Sequence, residues 1–197
     1  RRIKDFFRAN PDLDLNIITT QHFLAMEPGI DPDIFITKVF DLRPGYLRIP
    51  LFHERVYPVC SPEYLAACPQ VTTLDGIRRS VLLDLNPYGR AQLAEHVDWD
   101  SLFALQSQDC QPPVSQSPHY FSSNDYGLVV QMALDGQGMA LGWDHLVRDL
   151  VSEGRLVRPV SEELTLSEAL QYLIVKEEKA EDPACLRLKD WLIEHFA

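Results

Sequence analysis

The feature that most constrains this chain is the alternation of short apolar segments with residues that begin or end helices. Ser61, Pro62 and Glu63 form a typical helix start, because they supply a hydroxyl N-cap, a proline at the first position and an acid in the first turn. Gly136 and Gly154 follow apolar helical patterns and are expected to end those helices. Strands that alternate with helices in this way predict an α/β architecture with largely parallel sheets.

The hydrophobic pattern places the individual elements. Helices are expected at about residues 3–10, 62–67, 73–77, 125–134, 145–152 and 183–196. Strands are expected at Leu13–Thr19, Asp33–Thr37, Tyr46–Phe52, Glu54–Cys60, Ser80–Leu85, Met139–Trp143, Leu156–Val160 and Ala169–Val175. Residues 86–118 are rich in turn formers, and we expect little regular structure there beyond a strand near Phe103–Gln106.

The charge balance bears on the partners of the chain, whose 197 residues include 18 Lys and Arg against 29 Asp and Glu and carry a formal net charge of −11. Affinity for phosphate backbones comes mostly from clustered Lys and Arg, so this balance argues against binding of nucleic acid or of an anionic membrane surface. No apolar stretch approaches the roughly 20 residues of a membrane-spanning helix. The chain opens on Arg1 and Arg2 with no apolar signal segment behind them. We therefore expect a cytoplasmic fragment whose upstream part is absent.

The four cysteines are Cys60, Cys68, Cys110 and Cys185, and their spacing matches no zinc or redox motif. They are also too sparse for a disulfide scaffold. We expect free, mostly buried thiols in a reducing cytoplasm, with a sulfur-based sensor as the alternative.

Motifs of catalysis are missing from the sequence, which contains no G-x-S-x-G, H-E-x-x-H or Walker A pattern. Gly136 and Gly138 form a G-x-G that follows a helix, whereas a dinucleotide loop follows a strand. His53 and Cys60 are separated by an odd number of residues, so a continuous strand would place them on opposite faces. The six histidines form no i, i+4 metal pair. We predict a protein that is not an enzyme, with no catalytic residue, metal or cofactor.

Polar residues cluster instead at the carboxyl ends of extended segments: Thr20 and Gln21 after the first strand, Thr37 and Lys38 after the second, and Ser122 to Asn124 after Tyr120 and Phe121. Ligands of open parallel sheets sit outside those strand ends. The helix N-termini that follow offer free N–H groups and suit a carboxylate or phosphate. A simpler reading remains for each cluster: Ser122 to Asn124 could only cap a helix, and Thr37 and Lys38 could only be a solvated strand end.

Several stretches of the chain resemble the C-terminal effector-binding domain of LysR-type transcriptional regulators. The most specific are LRIPLFHERVYPVCSPEYL, ALDGQGMALGWDHLVRDLVSEGRLVRPV and YLIVKEEKAEDPACLRLKDWLIEHF, because the spacing between them also fits. FFRANPDLDLNI and DIFIT match the start of the domain. The resemblance covers nearly the whole chain and is nearest the subgroup that includes the glycine-cleavage regulators.

The resemblance implies an α/β fold of two Rossmann-like subdomains of periplasmic-binding-protein type II architecture, joined by two crossover strands. The crossovers should lie near Val56–Val59 and Val160–Leu164. Subdomain I would comprise residues 1–58 and 162–197, and subdomain II residues 59–161. The family's winged helix-turn-helix domain and first strand precede the first helix, and neither is contained in this sequence.

The family binds a small effector in the cleft between its subdomains. Carried over residue by residue, the expected ligand-binding residues are Thr20, Gln21, Thr37, Lys38, Ser122, Ser123, Asn124 and Trp143. We expect a small anionic metabolite, and a carboxylate suits the hydroxyl and N–H groups best. The segments DLRPGY and 106–118 depart from the family pattern and leave the pocket shape open.

The resemblance also implies partners: a homodimer of these domains, a tetramer of the full-length protein, and DNA contacts only through the missing N-terminal domain. The dimer should pair Phe6 or Phe7 of the first helix with the partner's helix Asp125–Leu134. Two other classes share the architecture. A periplasmic solute-binding protein would be preceded by a signal peptide, and an enzyme would carry a buried titratable pair in the cleft.

Overall fold

The computed structural model describes residues 3–18, 29–37, 44–86, 97–104 and 120–196. Its helices are α1 (Ile3–Ala9), α2 (Pro62–Ala67), α3 (Leu74–Arg78), α4 (Trp99–Phe103), α5 (Tyr126–Leu134), α6 (Asp144–Ser152) and α7 (Pro183–Phe196). Its strands are β1 (Ile34–Thr37), β2 (Tyr46–Val59), β3 (Leu82–Leu85), β4 (Tyr120–Ser123), β5 (Met139–Trp143) and β6 (Leu164–Lys176). Strands alternate with helices, as the sequence predicts, although α4 was not among the predicted elements. Among the described residues, no helix is long and apolar enough to cross a membrane.

The chain divides into two compact units. The first unit contains the residues up to His53 and those from Ser167 onward, and the second contains the described residues from Glu54 to Leu166. Two long strands, β2 and β6, contribute residues to both units and form the two connections between them. The chain passes from the first unit to the second between His53 and Glu54, and returns to the first between Leu166 and Ser167.

In the second unit the strand order is β2-β5-β3-β4. β3 runs parallel to both β4 and β5, whereas β2 runs antiparallel to β5. In the first unit β6 pairs antiparallel with β1 and lies between β1 and β2. The sheet is therefore mixed, not largely parallel, because the strands that connect the units run against their neighbours.

Apolar side chains cover both faces of the second unit's sheet. One face packs Val56, Leu82 and Leu141 with Trp99 of α4. On the other face, α5 and α6 pack against the sheet. This core includes Val129 and Ala133 of α5, Val147 of α6, and Tyr57, Val59 and Leu83 of the strands. Side chains alternate along each strand, so the residue number decides which face a side chain joins.

The core of the first unit lies under α7. Leu51 of β2 and Leu173 of β6 are buried there, with Leu192 and Phe196 of α7 packed against them. Phe6 of α1 is also buried, and its ring centroid lies 5.4 Å from that of Trp191.

The predicted strand Leu13–Thr19 is wrong over residues 13–18, which have no regular structure; Thr19 lies outside the described residues. Ile17 and Ile18 are 61% and 53% exposed. A strand needs partners for its backbone N–H and C=O groups, and no described strand pairs with this segment. Its β-branched composition alone does not produce a strand.

Three other local predictions need correction. The two extended segments expected on either side of His53 form one continuous strand, β2, which contains both Pro50 and Pro58. The strand predicted at Leu156–Val160 is reduced to a single bridge between Val157 and Cys60. Phe103 ends α4 and does not begin a strand, because the Asp98 side chain caps this helix by accepting a 2.7 Å hydrogen bond from Ser101 N.

Candidate functional site

Three of the predicted ligand residues, which are consecutive in the chain, lie at the carboxyl edge of the second unit's sheet. Ser122 and Ser123 end β4, and Asn124 follows before α5 begins. Ser122 lies opposite Asp84 of the parallel strand β3. Because the carboxyl ends of β3, β4 and β5 lie at one edge, this edge has the arrangement from which parallel sheets bind ligands.

The cap of α5 is made by Asp125. Its Oδ1 accepts hydrogen bonds from Gly127 N at 2.8 Å and from Leu128 N at 3.3 Å. Asp125 N donates to Ser123 Oγ at 3.1 Å. Ser123 therefore acts as a hydrogen-bond acceptor beside the helix cap, which is the simpler, structural interpretation of this residue. The first free N–H groups of α5 already have a carboxylate partner, so a bound anion would find its donors elsewhere at this edge.

Asp84 is a buried acid at the same edge, with 7% of its surface exposed. The hydroxyl of Tyr120 donates to Asp84 Oδ2 at 2.6 Å. Burial and this hydrogen bond together raise the pKa of Tyr120, so the phenol stays protonated as a donor at neutral pH. Sequence reasoning missed Asp84, although an acid within the apolar run SVLLDL was the available signal.

Trp143 ends β5 and is fixed through both its backbone and its ring. Trp143 N donates to the hydroxyl of Tyr126 at 3.1 Å, and that hydroxyl donates to Leu141 O at 3.3 Å. The Trp143 and Tyr126 rings meet edge to face with centroids 5.2 Å apart. Burial raises the pKa of Tyr126, which keeps this hydroxyl protonated.

A second buried acid, Glu54, stands where β2 enters the second unit and is 7% exposed. It precedes Val56, which lies opposite Trp143, by two residues. Because side chains alternate along a strand, Glu54 lies on the same face of the sheet as Val56 and Trp143. Leu82 of β3 packs on that face too, so Asp84, two residues further along β3, also lies there. The carboxyl edge thus carries an aromatic side chain and hydroxyl groups, together with two buried acids on separate strands.

Of the site residues predicted in the first unit, Thr37 is described and Thr20, Gln21 and Lys38 lie outside the described residues. Thr37 ends β1 opposite Tyr172 of β6 and is half-buried. On the neighbouring strand β2, the Arg48 guanidinium lies 4.4 Å from the centroid of the Tyr172 ring. The strand end at Thr37 therefore neighbours an aromatic ring and a cation.

The described part of the chain offers no metal centre, and its buried thiol, Cys60, is protonated at neutral pH. No group of three His, Cys, Asp or Glu residues there could hold a metal ion. Cys60, Cys68 and Cys185 are free thiols, and Cys110 lies outside the described residues. Burial, together with the nearby Cys68, raises the pKa of Cys60 to about 11, so this thiol is not a nucleophile at neutral pH.

Comparison with known proteins identifies the family. The family model described as the LysR substrate binding domain matches residues 1–197. The chain is 28% identical over 160 residues to an uncharacterized HTH-type transcriptional regulator, y4mQ, of Sinorhizobium fredii, which covers 81% of this chain and 48% of that protein. It is 26% identical over 198 residues to the glycine cleavage system transcriptional activator of Escherichia coli, covering 100% of this chain and 60% of that protein. The chain spans about half to three-fifths of the length of these relatives.

Solved structures show the same fold. The effector domain of the transcriptional regulator AmpR of Pseudomonas aeruginosa superimposes with a TM-score of 0.63 at 19% identity, covering 98% of this chain and 85% of that one. The regulatory domain of CrgA, a LysR-type regulator from Neisseria meningitidis, gives 0.63 at 20% identity and covers 100% and 90%. The relatives are named as transcriptional regulators, which does not favour the alternative of a periplasmic solute-binding protein. The chain therefore belongs to the LysR substrate-binding domain family.

Proposed function

We propose that this domain senses a small metabolite at the carboxyl edge of the second unit's sheet. The observation that supports this placement is that Ser122 lies opposite the buried Asp84, with Asn124 following it, while Trp143 ends β5 at the same edge of the sheet. Thr37 and the undescribed Thr20, Gln21 and Lys38 would contribute from the first unit. Their part in binding is carried over from the family and stays a prediction.

The first ligand class is a small carboxylate. The Ser122 hydroxyl and the Asn124 amide are suitable donors to a carboxylate, and Lys38 would add a charge. A charge-assisted hydrogen bond contributes ~1.5–3 kcal/mol. Two or three of them, offset by the loss of ligand freedom, support micromolar-to-millimolar affinity.

A second ligand class is favoured by the buried acid Asp84, which lies opposite Ser122 on the neighbouring strand. A carboxylate there would repel a simple anion, whereas it would attract a protonated amine. The neighbouring Trp143 ring is also a favourable surface for a cationic group. A zwitterion such as an amino acid satisfies both sets of groups, with its acid toward Ser122 and Asn124 and its amine toward Asp84.

The test is a thermal-shift screen of organic acids, amines and amino acids, followed by calorimetry on the hits. Truncation of Ser122 or Thr37 to Ala should weaken binding by about tenfold or more each, since each loses a hydrogen bond to a charged group. Ser152→Ala is the matched control, because Ser152 Oγ donates to Asp149 O at 2.9 Å near the end of α6. A ligand that both variants bind as well as wild type does would show that the site lies elsewhere.

Asp84→Asn separates the two ligand classes. It removes the charge and keeps an oxygen that can accept from Tyr120. Amine-bearing ligands should then bind at least fivefold more weakly, and simple carboxylates equally well or better. The opposite ranking would eliminate the zwitterion.

We also infer a homodimer that uses α1 and α5. Phe7 of α1 is 39% exposed and Leu128 of α5 is 45% exposed, which supports pairing of these two helices about a two-fold axis. Sedimentation equilibrium should show a dimer at tens of micromolar, and Leu128→Glu should shift it toward monomer. A strict monomer of the wild-type chain would contradict this inference.

In this proposal the regulator acts in the cytoplasm and contacts DNA only through its N-terminal domain. The net charge of −11 supports the second point. A gel-shift titration at moderate salt should therefore detect no specific duplex binding by the 197-residue chain. Submicromolar, sequence-dependent binding of duplex DNA by this chain would contradict the proposal that DNA is contacted only through the N-terminal domain.

A further inference from the structure

The ladder between the parallel strands β3 and β5 ends before β5 does. Its last pair is Leu83 with Ala140, whereas β5 continues to Trp143. At the start of β5, Met139 N donates to Val81 O at 2.9 Å, so the backbone groups of Met139 point toward β3. Because this direction alternates along a strand, the N–H and C=O groups of the second and fourth residues after Met139 also point toward β3. Beyond the last pair of the ladder, these groups need another partner.

The hydroxyl of Tyr126 is that partner. It donates to Leu141 O at 3.3 Å and accepts from Trp143 N at 3.1 Å. A neighbouring parallel strand would make the same two hydrogen bonds through the N–H and C=O groups of one residue. A single side-chain hydroxyl therefore takes the place of a strand residue and extends the ladder to the end of β5.

Tyr126 also belongs to the segment that carries the other site residues of the second unit. It is the first residue of α5, directly after the cap Asp125 and two residues after Asn124. Its ring meets the Trp143 ring edge to face, with centroids 5.2 Å apart. One side chain thus contacts both the backbone and the ring of Trp143 from the start of α5.

We propose that Tyr126 is a positioning residue, which fixes Trp143 at the candidate site and joins it to the start of α5. The two hydrogen bonds and the ring contact support this assignment. Tyr126→Phe would keep the ring contact, but Leu141 O and Trp143 N would lose the hydroxyl, which is costly for buried backbone groups. The value of the positioned ring for binding rests on the proposed function, whereas the position itself can be tested without a ligand.

Two measurements on the unliganded 197-residue chain test this assignment. The first is fluorine NMR of protein labelled with fluorotryptophan, in which Trp143→Phe identifies the Trp143 resonance among those of the three tryptophans. Tyr126→Phe should shift or broaden this resonance and leave the other two at their wild-type positions. The second is amide hydrogen exchange. The N–H of Trp143 should exchange about fivefold faster in Tyr126→Phe, because one hydrogen bond is lost, whereas the amides of β3 should keep their wild-type rates.

Tyr64→Phe is the matched control. The hydroxyl of Tyr64 also accepts from a backbone N–H of the second unit, that of Val81, at 3.2 Å. Tyr64→Phe should therefore accelerate exchange of the Val81 amide. It should leave both the resonance and the amide exchange rate of Trp143 as in wild type.

A wild-type resonance and exchange rate of Trp143 in Tyr126→Phe would overturn the assignment. An equal response of Trp143 to Tyr64→Phe would also overturn it, because that would indicate a general loss of stability. The wild-type chain covers the case in which Tyr126→Phe fails to fold. Its Trp143 amide should exchange within about tenfold of the rate of the Ala140 amide, although it lies at the end of the strand. Unprotected exchange there would contradict the role of the hydroxyl, and a failed ligand screen leaves all these outcomes unaffected.

Discussion

The two units bury their apolar residues differently. In the second unit, α5 and α6 each place two buried side chains against one face of the sheet, and the opposite face carries a second core that includes Trp99. In the first unit, none of the 14 residues of α7 is buried to that degree, although Leu192 and Phe196 pack on the sheet. Burial of apolar surface is the main stabilising contribution. Among the described residues, the second unit is therefore expected to be the more stable, and the first to open locally at lower cost.

The largest effect should follow truncation in the second unit's core. Leu82 is fully buried, so Leu82→Ala should lower the free energy of unfolding by about 3 kcal/mol. Leu192→Ala on the half-buried α7 should lower it by only about 1 kcal/mol. The chain has three tryptophans. Trp191→Phe removes the one in the first unit, so fluorescence then reports the second unit alone during urea unfolding.

Equal effects of the two truncations would contradict the comparison. A reversed order would show that the first unit determines the stability of the whole chain.

Overpacking one face of the second unit should have an intermediate effect. A Cβ at Gly142 would lie 2.7 Å from Val147 Cγ2 and 3.1 Å from Val59 Cγ1. Gly142→Ala should therefore destabilise by about 1–3 kcal/mol, as measured by urea unfolding. Gly127→Ala serves as the control, since its Cβ would approach only the Asp125 side chain, at 3.1 Å. A Gly142→Ala variant as stable as this control would mean that the core yields more easily than its packing indicates.

The first unit should show a smaller, pH-dependent effect. Arg187 forms two hydrogen bonds with the carboxylate of Asp12, of 2.9 Å and 3.1 Å, and these lower the pKa of Asp12 below its usual 3.8. A carboxyl whose pKa is lowered on folding stabilises the fold above its unfolded pKa and loses that contribution as the pH falls through the folded value. Arg187→Ala should therefore lower the melting temperature by a few degrees or less at pH 6, and by less at pH 3.

Asp12→Asn tests the assignment of that effect. In the Asp12→Asn variant, Arg187→Ala should change the melting temperature by the same amount at pH 6 and at pH 3. A remaining pH dependence would assign the effect to another carboxylate.

The smallest effect on stability should come from the candidate site. Ser122→Ala removes a hydroxyl at the end of β4 without touching the α5 cap, which is made by Asp125. The free energy of unfolding, measured by thermal unfolding, should stay within about 0.5 kcal/mol of the wild-type value. A larger loss would show that Ser122 is mainly structural.

Local signals in the sequence predicted most of the elements. Ser61 caps α2 by accepting a 3.1 Å hydrogen bond from Tyr64 N, as its position before Pro62 predicts. Gly136 and Gly154 end α5 and α6 with positive φ. These features depend on a few neighbouring residues. The predicted strand at 13–18 failed because a strand also needs a pairing partner, which the segment's own composition cannot supply.

The candidate site was only partly predictable for the same reason. Ser122, Asn124 and Trp143 follow strands and could be found from the chain order. The burial of Asp84 depends on Tyr120, 36 residues away, and that of Glu54 depends on how β2 enters the second unit. The cap at Asp125 was assigned to its neighbours because several residues in that cluster have suitable side chains.

The pairing of β1 with β6 has a consequence for the order of folding. Ile34 lies opposite Val175, so the sheet of the first unit needs segments more than a hundred residues apart in the sequence. The second unit is drawn from one intervening stretch of chain. During synthesis, which proceeds at roughly 5–20 residues per second, the second unit can complete its sheet while the residues of β6 are still being added. The β1 segment must then wait several seconds for its partner, and pairing of such high contact order is intrinsically slow.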